Sequence, residues 1–141
     1  MADWWQWSPK RDEEGLTFAV VGVGRFGTAV CRELISNGVE VLAADYSEKA
    51  IDDLRQLEPS IEARVIDCTD EKSMKESGIL EMNTVVVGIS EPIEASITTT
   101  LIAKDSEGTK VKRVIARATS DLHEKMLKRV GADKVLSLIH I

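Results

Sequence analysis

Three glycines, Gly22, Gly24 and Gly27, constrain this chain more than any other feature. They interrupt the apolar run over residues 17–22 (TFAVVG), which is too short for a buried helix and rich in β-branched residues, as a buried parallel strand requires. From Arg25 onward Phe26, Ala29, Val30 and Leu34 recur at three- and four-residue spacing, and Gly38 is placed to end that helix in a left-handed conformation. The result is strand, glycine turn, helix. In such a turn the first glycine permits the tight reversal, the second lets a pyrophosphate approach the backbone, and the third lets helix and strand pack closely. The N–H groups at the helix start then meet the phosphates, aided by the helix dipole.

The same alternation continues to the end of the chain. Residues 39–45 (VEVLAAD) read as a second strand, followed by Ser47 as an N-cap and Ile51, Leu54 and Leu57 as a helical stripe that stops before Pro59. A third strand is expected over 62–68, a short helix capped by Thr69 or Asp70 up to Gly78, and a fourth strand over 84–90. Glu91-Pro92 opens the next helix, with Ile93, Ile97 and Leu101 on one face. Strand five covers 114–118, Ser120 caps a helix carrying Leu122, Met126, Leu127 and Val130, and 134–139 forms a sixth strand. Strands alternating with helices in this way build a doubly wound α/β domain, a Rossmann-like parallel sheet of about six strands.

The end of strand two narrows the ligand. Asp45 stands where a carboxylate meets the ribose hydroxyls of a bound nucleotide, and with the strand and helix around the glycines it turns a weak motif into a nucleotide-binding prediction. A carboxylate there repels a 2′-phosphate, and no arginine adjoins it, so NADP is disfavoured while NAD, NADH, ATP and ADP are all acceptable. Arg25 adds a cation to the phosphate turn, more than one pyrophosphate needs.

The remaining features exclude more than they add. A net charge of -6 argues against nucleic acid as a partner. No signal-peptide pattern or run of about 18 apolar residues is present, so a soluble intracellular chain is expected. Cys31 and Cys68 lie in apolar surroundings without metal-ligand spacing and read as buried thiols. His123 and His140 have no serine or cysteine partner that the sequence can place, and Thr98, Thr99 and Thr100 read as a small packing face. Trp4, Trp5 and Trp7 all fall within residues 1–15, read as a flexible tryptophan-rich arm with the charged stretch 10–14 as a linker.

Residues 18–27 (FAVVGVGRFG), with 41–45 (VLAAD), 65–69 (VIDCT), 94–101 (EASITTTL) and 128–135 (KRVGADKV), resemble the KtrA/TrkA-type regulatory subunits of potassium uptake systems, the RCK or KTN domain. The resemblance covers residues 16–136. It implies a cytoplasmic, non-catalytic domain that binds adenine nucleotides, pairs into homodimers and assembles into a ring, an octamer, beneath a membrane-embedded potassium-translocating subunit. On this chain it assigns the phosphates to Gly22, Gly24 and Gly27, the ribose to Asp45, and a terminal phosphate, in its own or a neighbouring subunit, to Arg25. Asp67, Cys68 and Thr69 border the adenine and Arg117 lines the same pocket, with Phe26 and Tyr46 completing the set. The pattern departs at residues 135–141, where Leu138 stands near the place of the family's metal-organising glutamate, so no metal is expected and 137–141 read as a non-native or truncated tail. The competing reading is an NAD(H)-dependent redox sensor or the cofactor domain of a truncated NAD-dependent dehydrogenase, which lacks the second domain that supplies a substrate pocket.

Overall fold

The structure is a computed structural model that describes residues 16–137. The tryptophan arm, His140 and the end of the predicted sixth strand lie outside the described residues. Within them the order is β1 (Thr17–Val21), α1 (Arg25–Ser36), β2 (Glu40–Asp45), α2 (Glu48–Leu57), β3 (Glu62–Val65), α3 (Glu71–Ser77), a 3₁₀ turn (Ile79–Glu81), β4 (Thr84–Val87), α4 (Ile93–Asp105), β5 (Arg113–Ala118), α5 (Asp121–Arg129) and β6 (Lys134–Ser137). The six strands form one sheet in the order β3-β2-β1-β4-β5-β6, every pair parallel.

This is the doubly wound α/β arrangement expected from the sequence. β1 lies between β2 and β4, with Phe18 in register with Val41 on one side and Thr84 on the other. Residues Phe18 to Val21 are completely buried, which is why the strand reads as a continuous apolar run instead of an alternating one. One face places Phe18, Val20, Ala43, Val86 and Ile115 against Val30, Cys31 and Leu34 of α1 and Ile51 and Leu54 of α2. The other places Val21, Val85, Val87 and Ala116 against Met74 of α3, Ala103 of α4 and Leu127 of α5.

Helix ends follow their local chemistry. Ser47, Asp70 and Ser120 cap α2, α3 and α5 by accepting the backbone N–H of Ala50, Ser73 and His123. Thr69 is therefore not the cap of α3. Gly38 and Gly78 take the left-handed conformation after α1 and α3.

Several expectations are corrected. β3 and β4 stop at Val65 and Val87, so the residues expected to finish those strands belong instead to loops at the carboxyl edge. β2 itself ends opposite Val65, at Asp45, which leaves the residues after β3 without a ladder to extend. Leu57 of α2 is half exposed, at 50%. In α4 the stripe of Ile93, Ile97 and Leu101 is not the buried face: Ser96, Thr99, Thr100 and Ala103 are buried and Leu101 is 42% exposed. Small side chains let this helix approach the sheet, and their hydroxyls find partners at once, Thr100 on the Ser96 carbonyl (2.9 Å) and Thr99 on the Cys68 carbonyl (3.0 Å). In α5, His123 and Leu127 are buried while Leu122 and Met126 face outward.

One charge lies inside the fold. Arg113 is 7% exposed, its guanidinium 5.9 Å from the Phe18 ring centre and its Nε donating to Thr84 Oγ1 at 3.0 Å. Its other two nitrogens are buried without a hydrogen-bond partner, and burial holds its pKa below the usual arginine range. An arginine stays charged regardless, so Arg113→Met, which keeps the packing volume and removes the unpaired charge, is expected to raise unfolding stability by about 1–3 kcal/mol in urea melts.

Candidate functional site

The turn after β1 is built by close backbone contact. Gly22 has φ +91°, and a Cβ on Gly27 would sit 1.8 Å from the Gly22 carbonyl oxygen. Only glycine at position 27 lets α1 rest on the end of β1. Gly88, just past β4, joins them: its N–H donates to the Val21 carbonyl at 2.7 Å, and a Cβ there would meet Gly22 O at 2.8 Å. At Gly24 a Cβ would meet nothing within 4 Å, so that position opens onto solvent.

Asp45 ties the turn to β2. One carboxylate oxygen accepts the Val23 N–H at 2.8 Å and the other the Ser47 N–H at 2.8 Å. Thr28 Oγ1 closes the turn on the Val23 carbonyl at 2.9 Å. The expected ribose partner is thus also the clamp that fixes the glycine loop and the entry to α2.

These elements frame a crevice of about 420 Å³ at the carboxyl ends of β1, β2, β3 and β4, within the range of small-molecule sites. It opens where the strand order reverses between β1 and β4, the position at which open α/β sheets place ligands. Of the residues singled out by sequence, Gly22, Gly24, Asp45, Tyr46, Asp67, Cys68 and Thr69 line it. Asp67 and Thr69 form a local turn, the Asp67 carboxylate accepting the Thr69 N–H at 2.9 Å and its hydroxyl at 2.6 Å. Tyr46 is 77% exposed at the rim.

Four expected residues are not in the lining. Gly27 is buried under the turn, Arg25 is exposed on the first residue of α1, and Phe26 is half-buried. Arg117 stacks on that phenylalanine, its guanidinium carbon 5.3 Å from the Phe26 ring centre. This pair lies on the α1 face of the sheet, the face that also carries Ile115 of β5. The far wall was missed: Gly88, Ile89, Ser90, Glu91, Pro92 and Ala95. The only hint of it was the echo of VVGVGR (20–25) in VVVGIS (85–90).

Electrostatically the crevice is uneven. Among the described residues its lining carries three carboxylates, on Asp45, Asp67 and Glu91, and no cationic side chain. Positive potential comes instead from backbone: α1, entered at Gly24, has no side-chain cap and no acidic residue in its first turn, so its leading N–H groups are open to an anion. Cys68, 5% exposed at the crevice floor, has its thiol pushed up to about 12 by burial and by Asp45 and Asp67; Cys31 is likewise pushed to about 12, by burial and Glu58. Both are free buried thiols, as expected from sequence. No group of three or more potential metal ligands occurs among the described residues.

His123 does have a serine partner, contrary to expectation: its Nε2 lies 3.0 Å from Ser96 Oγ. Both residues are completely buried, so the pair has no access to a substrate.

The TrkA-N domain family matches residues 18–138. The chain belongs to that family. It is 40% identical over 119 residues to the Ktr system potassium uptake protein C of Bacillus subtilis, covering 84% of this chain and 52% of the relative. The chain spans about half the length of the curated Ktr relatives it matches. Among solved structures, the TrkA-N domain of the inner membrane protein ybaL from Escherichia coli superposes with a TM-score of 0.76 at 20% identity, covering 88% of each chain. The GsuK channel bound to NAD superposes with a TM-score of 0.73 at 14% identity, covering 90% of this chain and 22% of that one. Both likenesses concern the fold. No helix among the described residues of this TrkA-N chain is long and apolar enough to cross a membrane.

The glycine geometry separates two roles. Gly27→Ala is expected to destabilise the fold by about 3 kcal/mol or more, as a Cβ forced into backbone must. Gly24→Ala should leave urea stability within about 1 kcal/mol of wild type, because nothing stands in its way.

Proposed function

We propose that the crevice binds an adenine nucleotide, NAD(H) or ADP/ATP, and that the domain acts as a non-catalytic regulatory switch for a membrane potassium-uptake partner. The observation that carries this reading is the conjunction, at the switch point of the sheet, of an uncapped α1 N-terminus, an open approach at Gly24 and a fixed Asp45 carboxylate. A diphosphate fits against the first, its close approach is permitted by the second, and ribose hydroxyls donate to the free lone pairs of the third. The adenine then lies toward Asp67, Cys68 and Thr69, with Tyr46 at the rim. A 2′-phosphate would face Asp45 and Asp67 together, which disfavours NADP.

The lining's excess of carboxylates bears on which nucleotide is held. NAD carries less negative charge than ATP, so it meets less repulsion from Asp45, Asp67 and Glu91. A triphosphate needs cations from elsewhere, and exposed Arg25 is suited to reach one, from its own turn or from a neighbouring subunit. The similarity to Ktr potassium uptake proteins supports the transport role, as a homodimer within a ring, an octamer, on the cytoplasmic face of a translocating subunit. Such a switch works only if the ligand binds two arrangements unequally.

The test is calorimetry with NAD, NADH, ADP, ATP and NADP on wild type and variants. NAD or ADP should bind and NADP at least about tenfold more weakly, a difference of about 1.4 kcal/mol. Gly24→Ala should lose at least about tenfold in affinity through steric exclusion of the diphosphate. Arg25→Ala should erase any difference between ATP and ADP while leaving NAD binding intact. Tightest binding of NADP, or unchanged binding by Gly24→Ala, contradicts the assignment.

A further inference from the structure

His123 is an ionisable side chain buried where α5 meets α4 behind the crevice, and its hydrogen bonds fix its protonation. The Thr119 backbone N–H points at Nδ1 from 3.1 Å. A backbone N–H can only donate, so Nδ1 is the acceptor and the proton resides on Nε2, which donates to Ser96 Oγ at 3.0 Å. The Thr119 hydroxyl, 3.3 Å from Nδ1, can donate to the same atom. The ring is completely buried. A second proton on Nδ1 would face the Thr119 N–H, donor against donor, with no water to separate them.

Among the described residues the surroundings offer that charge no partner. On α5 itself Asp121 is exposed and Glu124 is engaged by Lys128 at 3.3 Å. From α4 Ser96 meets the ring, the other buried polar side chains are the hydroxyls of Thr99 and Thr100, Glu94 is exposed, and Lys104 is paired with Asp133 at 3.0 Å. On β5, Arg117 is turned to Phe26. No ionisable side chain among the described residues bonds to the ring, and its position in the first turn of α5, capped by Ser120, further disfavours a cation. Burial accordingly holds the His123 pKa below its ordinary value.

The ring connects to the ligand site through one helix. Pro92, which caps α4, and Ala95 within it line the crevice, Ser96 follows directly and bonds the ring, and Thr99, one turn on, bonds the carbonyl of Cys68 at the crevice floor. Accommodating an imidazolium requires the ring to turn away from the Thr119 N–H, and because the same rigid ring carries Nε2, that movement also breaks its hydrogen bond to Ser96 on the α4 wall. We propose that His123 is a positioning residue whose neutral ring holds the α4 wall through Ser96, so that nucleotide binding at the crevice is coupled to loss of a proton from that ring. The inference rests on the nucleotide-binding reading given above and adds to it an acid-sensitive affinity.

The sign follows from linkage. A histidine neutral when the wall is closed and free to titrate near its ordinary value of about 6.5 when the wall is loose binds more protons in the loose state, so affinity is complete above that value and falls as pH drops through it. NAD is the probe, because none of its groups titrates between about pH 5.5 and 7.5. Calorimetry on the full chain should show its Kd rising by up to about tenfold across that fall in pH. His123→Asn, whose Oδ1 can still accept the Thr119 N–H but which takes no proton and loses the Nε2 donor to Ser96, should bind NAD more weakly than wild type at neutral pH and show a flat profile. A flat wild-type profile, or an unchanged slope in His123→Asn, overturns the proposal. Should the variant not fold, ring-proton NMR of the wild type decides: the His123 pKa must be lower with NAD bound, and equal values in the two states overturn the coupling. Absence of heat with NAD, ADP and ATP alike at every pH contradicts the underlying nucleotide assignment instead, and the coupling falls with it.

Discussion

The contact between the Gly22 carbonyl and the Gly27 backbone is the constraint from which the site is assembled. With a Cβ excluded at position 27, α1 lies directly on the end of β1. That closeness aims its uncapped N-terminus along the carboxyl edge of the sheet, where β1 separates β2 from β4. Asp45 then locks the loop from β2 by taking the Val23 N–H, and Gly88 brings β4 in from the other side. Three strands therefore converge on one turn, and the cavity between them follows from backbone packing more than from any side chain reaching inward.

A site made this way divides its labour unusually. The attractive potential for an anion comes from peptide dipoles, while the side chains that line the crevice are carboxylates. This favours a ligand with a compact diphosphate and hydrogen-bond donors on either side, and penalises additional phosphate charge unless cations are recruited. Arg25, exposed at the mouth, and Arg117, committed to Phe26, are the two arginines whose positions bear on that balance. In the TrkA-N domain the wall opposite the glycines belongs to α4, whose buried face is a row of small hydroxylated residues. This helix packs on the core through Ala103, Ile97 and Ile102 and adds directional hydrogen bonds from Ser96 and Thr99 that a ligand or a proton can rearrange.

The sequence made β1, the glycine turn, α1, β2 and Asp45 readable because each leaves a local signature: continuous burial, glycine spacing, a cap, a strand-end carboxylate. The same reading failed where the partner across space decides. Periodicity assigned Ile93, Ile97 and Leu101 to the core, yet α4 turns Ser96, Thr99 and Thr100 inward because small residues allow closer packing and neighbours satisfy their hydroxyls. Arg117, assigned to the pocket by the family resemblance, stacks on Phe26 and is not among the residues that line the crevice. The Ser96–His123 pair spans 27 residues, so no local pattern could announce it. β3 and β4 ran long in the reading because Ile66, Cys68 and Ile89 are as apolar as strand residues, although they serve the loops that wall the crevice.

The most direct test of this account is an amide ¹H–¹⁵N spectrum of the chain with and without saturating NAD or ADP. Binding at the switch point predicts large shifts at Gly24, Arg25, Phe26 and Gly27, at Tyr46 and Ser47, at Cys68 and Thr69, and at Glu91 and Ala95, with the outer surface of α2 unmoved. Shifts that leave the glycine turn untouched, or a spectrum that neither NAD nor ADP changes, would contradict it.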